Sequence, residues 1–187
     1  MAGSRRTLWT CPECGHRFVT RNLWHSCGRY SLAAHFAGKA RGVRAVFDRY
    51  LAAARACGPV TVYAQKTRIV FQTRVRFAGA VVRRDWVEAT MWLRRPVRHR
   101  TLVRVEPLGR LGFNLHFRLE TPADVDGALR ELLREAYEAG RGNPGERGSA
   151  RRQAAVGTRS RGAGDGRGRR ARRGRKRNSS KPTMMSA

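Results

Sequence analysis

Between Val60 and Arg94 the chain reads VTVYAQKTRIVFQTRVRFAGAVVRRDWVEATMWLR, four runs of β-branched and aromatic residues with at most two residues between them: Val60–Gln65, Arg68–Thr73, Val75–Arg83 and Trp86–Arg94. Parallel strands need crossovers of a dozen residues or more, so spacing this short predicts antiparallel pairing. Arg68-Ile69-Val70-Phe71-Gln72 alternates with period two, which predicts one buried and one wet face. Arg84-Asp85 reads as a hairpin turn. Leu102–Pro107 and Phe113–Glu120 extend the series, and Asn114-Leu115-His116-Phe117-Arg118-Leu119 shows the same alternation. A meander of five to six strands is expected.

A helix is expected on each side of these strands. Val43, Val46, Phe47, Tyr50, Leu51 and Ala54 repeat at helical spacing, and Gly58-Pro59 stops the helix. Thr121-Pro122-Ala123-Asp124 supplies an N-cap, an N1 proline and an early acid for a second helix. Val125, Leu129, Leu132, Leu133, Ala136 and Tyr137 line its inner face up to Gly140. Ser31 reads as the cap of a short turn through Phe36. The expectation is an α+β fold, one antiparallel sheet with both helices packed on one face. The chain divides into 1–30, 31–140 and 141–187, the last with no aromatic residue and a composition that predicts disorder.

In the first segment Cys11-Pro12-Glu13-Cys14-Gly15 has the form of a metal knuckle, two thiolates on a tight turn with Gly15 free to take a positive φ. His25 and Cys27 complete a C-x2-C-x10-H-x-C pattern. Three sulfurs and one nitrogen make a closed set, so Cys11, Cys14, His25 and Cys27 are expected to hold a structural zinc ion. A helix is expected from Thr20 to His25. On one continuous helix His25 and Cys27 would point about 200° apart, so the helix has to stop there and Cys27 swing back. Trp9 and Phe18 flank the knuckle as a small core, and His16, the substitute ligand, lies too close to Cys14 for easy closure and is expected beside the site or at the surface.

Trp9-Thr10-Cys11-Pro12-Glu13-Cys14-Gly15, Trp24-His25-Ser26-Cys27, His35-Phe36 and Gln65-Lys66-Thr67-Arg68-Ile69 together resemble the bacterial domain-of-unknown-function family 5655, over roughly residues 9–139. The resemblance implies the α+β fold and no established activity. Some members sit beside nucleic-acid modules, an associational pointer to such partners.

Charge points the same way. Lys and Arg number 40 against 13 Asp and Glu, a net charge of +27. Residues 141–187 hold 15 basic against 2 acidic residues, and residues 1–140 hold 25 against 11, so both parts are basic. The alternative reading is mutational: the chain is rich in Arg, Ala and Gly, which a biased genome would produce without selection for binding. Arg169, Arg170, Arg172, Arg173, Arg175, Lys176 and Arg177 form a polycation suited to DNA or RNA phosphates through counterion release, without sequence preference. Among the strands, arginines interleave with Tyr63, Phe77, Trp86 and Trp92, either as a stacking surface or as core aromatics with a solvated opposite face. The alternative is a small anionic ligand held by Lys66, Arg68, His116 and Arg118, although a lone His116 among apolar neighbours also reads as a structural residue. Cys57 reads as a small buried hydrophobe.

No Gly-rich phosphate loop, G-x-S-x-G elbow or H-E-x-x-H occurs, and no catalytic residue is assigned. Asp85, Glu88 and Glu106 lack a nuclease pattern, and ion pairs explain them better. With no apolar run of 18 residues and no apolar stretch after Arg5 and Arg6, a reduced cytoplasmic protein without a membrane partner is expected. The sequence sets no oligomeric state.

Overall fold

A computed structural model describes residues 7–21, 23 and 25–142. The Arg169–Arg177 run lies outside the described residues. A small hairpin, β1 (Trp9–Thr10) with β2 (Arg17–Phe18), precedes a 3-10 turn at Ala33–Phe36 and helix α1 (Arg41–Ala56). Then come β3 (Thr61–Ala64), β4 (Ile69–Gln72), β5 (Arg76–Val82), β6 (Val87–Leu93), β7 (Leu102–Pro107), β8 (Phe113–Leu119) and helix α2 (Gly127–Arg141). Strands β3–β8 form one antiparallel sheet, as their spacing predicts, in the order β3-β4-β5-β6-β8-β7.

One step departs from a simple meander: β8 inserts between β6 and β7. Burial explains the exchange. Leu115, Phe117 and Leu119 give β8 a fully apolar inner face, which suits an interior position, whereas β7 is exposed along all but its first residue and charged. Its outer edge is guarded against pairing with another chain by Arg104, Glu106, Pro107 and a register shift between Leu102 and Arg104.

Both helices lie on one face of the sheet. Val43, Val46, Phe47, Tyr50 and Ala54 of α1 meet Leu129, Leu133, Ala136 and Tyr137 of α2 over Ile69, Phe71, Phe77, Ala89, Met91 and Phe117. Tyr50 is buried with its hydroxyl donating to the Thr90 carbonyl at 3.0 Å, so the core contains no unpaired phenol there. The α1 helix ends at Ala56, and two residues on Gly58 takes φ 138°, a conformation that disfavours any other residue.

The start of α2 differs from expectation. Thr121-Pro122-Ala123-Asp124 forms a separate 3-10 turn with a reciprocal Thr121–Asp124 capping box. The chain then breaks at Val125, and Asp126 caps α2 by accepting from the Leu129 N–H at 2.9 Å. Two capping acids in succession give two starts. The outer face of β4 also differs, since Val70 is 3 % and Gln72 5 % exposed where alternation predicts water contact. For Gln72 the reason lies in the N-terminal segment, whose Arg17 carbonyl covers it.

At the far end of α2 the helix packs so closely on β5 that no side chain fits. A Cβ on Gly140 would stand 2.7 Å from Phe77 Cβ and 2.8 Å from Thr73 Oγ1. The Gly140 carbonyl also accepts from Val75 N–H at 3.1 Å, tying the helix to the strand. Gly140→Ala is therefore expected to cost about 1–3 kcal/mol by overpacking, read as a lower urea midpoint with an unchanged slope. A gain in stability would show that α2 can slide without penalty.

Candidate metal centre and the outer face of the sheet

The β1–β2 hairpin exists to present a turn. Cys11 N–H donates to His16 O and Gly15 N–H to Cys11 O, both at 2.9 Å, and Gly15 takes φ 73°. This closes the knuckle that the Cys-Pro-Glu-Cys-Gly spacing predicts. Trp9, Phe18 and the His25 ring pack on one another, with Phe18 and His25 centroids 4.3 Å apart. The ligand atoms of Cys11, Cys14, His25 and Cys27 all lie within 4.8 Å of one another. A tetrahedral ion bound at 2.0–2.3 Å would set its ligands about 3.5–3.8 Å apart, and the Cys11 and Cys27 sulfurs already stand at 3.5 Å.

The imidazole supports the same reading. His25 Nδ1 donates to the Leu23 carbonyl at 2.8 Å, which leaves Nε2 as the bare lone pair. That Nε2 is buried with no protein partner. Metal-bound histidines are oriented in this way by a carbonyl on the other nitrogen. The backbone N–H of Cys14 chiefly holds the Cys11 thiol down to about 6, whereas hydrogen bonding to Cys11 chiefly pushes Cys27 up to about 12. One sulfur is thus prepared as thiolate, and the other yields its proton to a cation.

The expected helix from Thr20 to His25 is not formed. The described residues there take a bend, a turn and irregular chain, so His25 and Cys27 reach one centre without the opposed directions that a helix would impose. His16 is no ligand; its ring stacks on Tyr63 with centroids 3.8 Å apart.

That stacking belongs to a seam joining the metal hairpin to the sheet. Gln72 Nε2 donates to the Arg17 carbonyl at 2.8 Å, Tyr63 Oη donates to Gln72 Oε1 at 3.0 Å, and Arg76 Nε donates to Tyr63 Oη at 3.0 Å. The Arg76 guanidinium lies over the Phe18 ring. The hairpin therefore covers one end of the face opposite the helices, and Gln72 and Tyr63 are buried beneath it.

Beyond the hairpin, the same face carries a polar cluster around His116. Its Nδ1 stands 2.8 Å from Glu88 Oε1, and its Nε2 stands 3.3 Å from Glu106 Oε2 and 3.1 Å from Asn114 Nδ2. Arg104 Nη2 lies about equally close to both ring nitrogens, at 3.1 and 2.9 Å. Arg83 Nε donates to Glu88 at 3.0 Å. Burial raises the Glu88 pKa, but the hydrogen bonds from Arg83 and His116 outweigh it and hold the carboxyl below its ordinary value. Hydrogen bonds from Asn114 and then His116 lower that of Glu106.

A family model described as Domain of unknown function (DUF5655) matches residues 32–140. The chain belongs to that family. No curated protein and no solved structure matches it. The DUF5655 match takes in α1, the six-stranded sheet, α2 and the His116 cluster, and it begins after the metal ligands. The resemblance expected from residue 9 onward therefore holds from Leu32, and the Cys3His group lies outside the matched DUF5655 residues.

Of the four residues expected around an anion, the DUF5655 sheet brings Arg68 and His116 to the border of one hollow. Lys66 sits in the β3–β4 turn and does not line it. Arg118 also stays outside, paired with Glu120 at 2.6 Å and stacked over Trp86. Glu88, Arg104, Glu106 and Asn114 are the members that sequence reasoning missed. Register could have found Arg104, which pairs across the ladder with His116. Among the aromatics, Phe77 is core and Tyr63 lies under His16. Trp92 is half-buried with Nε1 donating to the Leu111 carbonyl, and Trp86 is half-exposed between Arg83 and Arg118. Cys57 is half-buried and donates weakly to the Ala53 carbonyl. Among the described residues no helix is long and apolar enough to cross a membrane.

Proposed function

We propose that this DUF5655 chain is a non-enzymatic, nucleic-acid-associated protein whose N-terminal hairpin is stapled by structural zinc. Three thiolates and one imidazole in a closed tetrahedral set favour zinc over harder ions and leave no coordination position for a substrate. A reduced Cys3His site also favours the cytoplasm.

One observation carries the nucleic-acid reading. The fold already uses its own carboxylates: Asp48, Glu88, Glu106, Glu120, Asp124, Asp126, Glu131, Glu135 and Glu138 each stand in an ion pair with Arg or His. With 40 basic against 13 acidic residues, the surplus cations have to be balanced from outside the chain. A polyanion does this with a large gain in counterion entropy. Trp86 is half-exposed with the Arg83 and Arg118 guanidinium groups 5.8 and 5.0 Å from its ring centroid, so an unpaired base meets an aromatic ring and cations together.

The test is fluorescence anisotropy with duplex and single-stranded oligonucleotides over a salt series. Binding is expected to both, falling about 10³–10⁵-fold between ~50 and ~200 mM salt if six to ten phosphates are contacted. A chain ending at Gly142 should bind with a shallower salt slope. It should end there because α2 runs to Arg141 and the Gly140 carbonyl holds β5. Absence of binding to either polymer at ~50 mM salt would end the proposal.

A further inference from the structure

The outer face of the sheet is not flat. A hollow of about 400 Å3 is bordered by Arg68, Arg83, Glu88, Arg104, Asn114 and His116, and a smaller one of about 110 Å3 adjoins it towards Gly79 and Trp92. Arg68, Thr90 and Asn114 border both, so the two make one trough across β4 to β8. Its floor is low because Gly79 faces Thr90 in the ladder. No larger residue fits there, since a Cβ on Gly79 would meet the Ile69 carbonyl at 2.6 Å.

A merely solvated sheet face has no reason to bury charge. Here His116 is 5 % and Glu88 9 % exposed, on the face without helices. Desolvation of this kind is costly unless the groups are paired, and both are held in one network with Arg83, Arg104, Glu106 and Asn114. The trough's two carboxylates are already engaged, Glu88 by Arg83 and His116, Glu106 by Asn114 and His116. Arg104 hydrogen-bonds the imidazole and feels the charge of Glu106 without forming an ion pair, and Arg68 forms no ion pair among the described residues. Four arginines, Arg68, Arg76, Arg83 and Arg104, against two glutamates leave a positive surplus, focused by a concave wall.

We infer that this trough binds a small organic phosphate of mononucleotide size, with Arg68 and Arg104 as its anion-gripping walls. Size and charge narrow the ligand class. The two walls rise from strands four spacings apart, about 19 Å at ~4.8 Å per strand, and their long side chains border one hollow whose volume exceeds what a bare phosphate fills. The larger hollow lies within the usual range for small-molecule sites, about 300–1,000 Å3. A phosphomonoester carries nearly two negative charges at neutral pH, which suits two separated guanidinium groups better than a single carboxylate does. Glu106, Asn114 and Thr90 then offer partners for the hydroxyls or ring edges of the organic part, and Trp92 borders the smaller hollow where a flat ring would lie. The ligand is either a free metabolite or the phosphorylated end of a strand.

Isothermal titration calorimetry on the full, metal-loaded chain tests this with uridine 5′-monophosphate, uridine, inorganic phosphate, and oligonucleotides with and without a 5′-phosphate. The monophosphate should bind at one saturable site with a dissociation constant below about 1 mM. Inorganic phosphate should bind about tenfold more weakly and uridine not at all, because each lacks half of the contacts. Arg68→Gln and Arg104→Gln, both at exposed positions, should each weaken the monophosphate about tenfold with the melting temperature unchanged. A preference for the 5′-phosphorylated strand that vanishes in both variants would assign the strand end as the source; its absence would assign the free metabolite. Equal monophosphate affinity in wild type and both variants would overturn the inference, as would uridine or inorganic phosphate matching the monophosphate. Because both variants keep the Arg-rich segment, total oligonucleotide affinity reports separately on the nucleic-acid proposal.

Discussion

Chelating the metal, or replacing Cys11 with Ser, is expected to unfold residues 7–30 while the DUF5655 body stays folded. The hairpin has two-residue strands and a core made of Trp9, Phe18 and the His25 ring. Nothing of that size folds without a metal or a disulfide, and structural zinc in comparable peptides supplies about 10–16 kcal/mol of apparent binding free energy. The body has its own core between two helices and six strands, so it should survive. It should not survive unchanged. Loss of the hairpin removes the roof over Tyr63 and takes the Arg17 carbonyl from Gln72 Nε2, leaving a buried amide to find water. That is worth about 1–3 kcal/mol, a fall of about 3–10 °C in the midpoint of the body. Uptake of zinc should release protons at neutral pH, because Cys27 is pushed up to about 12 and binds as thiolate. Metal affinity should therefore weaken as pH falls. Near-ultraviolet circular dichroism with and without chelator reads the hairpin, and calorimetry reads the body. Identical aromatic spectra in the two states would show that the Cys3His group is no staple.

The body was legible in the sequence where a residue's surroundings come from its own element. The Val43–Ala54 stripe gives α1 and its buried face, Gly58-Pro59 gives its end, and Leu102–Pro107 is reproduced residue for residue as β7. Alternation failed at β4 because period two reports one sheet face at a time. The cover over Gln72 comes from Arg17, 55 positions away, through a backbone carbonyl that leaves no trace in residue type. The Cys3His group was legible from spacing, and the structure brings its four ligand atoms within 4.8 Å of one another, as a metal site requires. The local conformation of its residues was not legible, because the His25–Leu23 contact that sets it again involves a carbonyl. His116 looked isolated in sequence because Leu115 and Phe117 face the helices. Its real neighbours arrive from β6 and β7, and which strand lies beside β8 depends on the exchange of β7 and β8 that strand spacing does not encode.

Asp124 shows how one such carboxylate can anchor a whole connection, and Asp124→Ala is expected to cost about 2–4 kcal/mol at neutral pH. Its Oδ2 accepts the backbone N–H groups of Glu120 and Thr121, both at 2.8 Å, where β8 ends and the 3-10 turn begins. Its Oδ1 stands 2.9 Å from Arg100 Nη1, tying in the segment before β7. Alanine leaves two backbone donors without an acceptor in a place where the residue is 8 % exposed, and each loss carries a desolvation penalty. Arg100 keeps a second partner in Asp126 at 3.3 Å, so the guanidinium is not stranded. Burial by itself would raise the Asp124 pKa, but the Thr121 and Glu120 N–H groups and Arg100 outweigh it and set it below the ordinary aspartate value. A carboxyl lowered on folding stabilises the native state fully above its unfolded pKa, about 3.9, and that contribution drains away as pH falls through the lower folded value. The gap between wild type and Asp124→Ala should therefore be constant from about pH 5 to 8 and narrow below about pH 4. Asp124→Asn keeps the shape and one acceptor oxygen, so it should lose less, and its own stability should lack this acid-side dependence. Urea denaturation at three pH values decides the matter. A gap that stays the same in acid would mean that lost packing, and not the charged acceptor, is what Asp124 contributes.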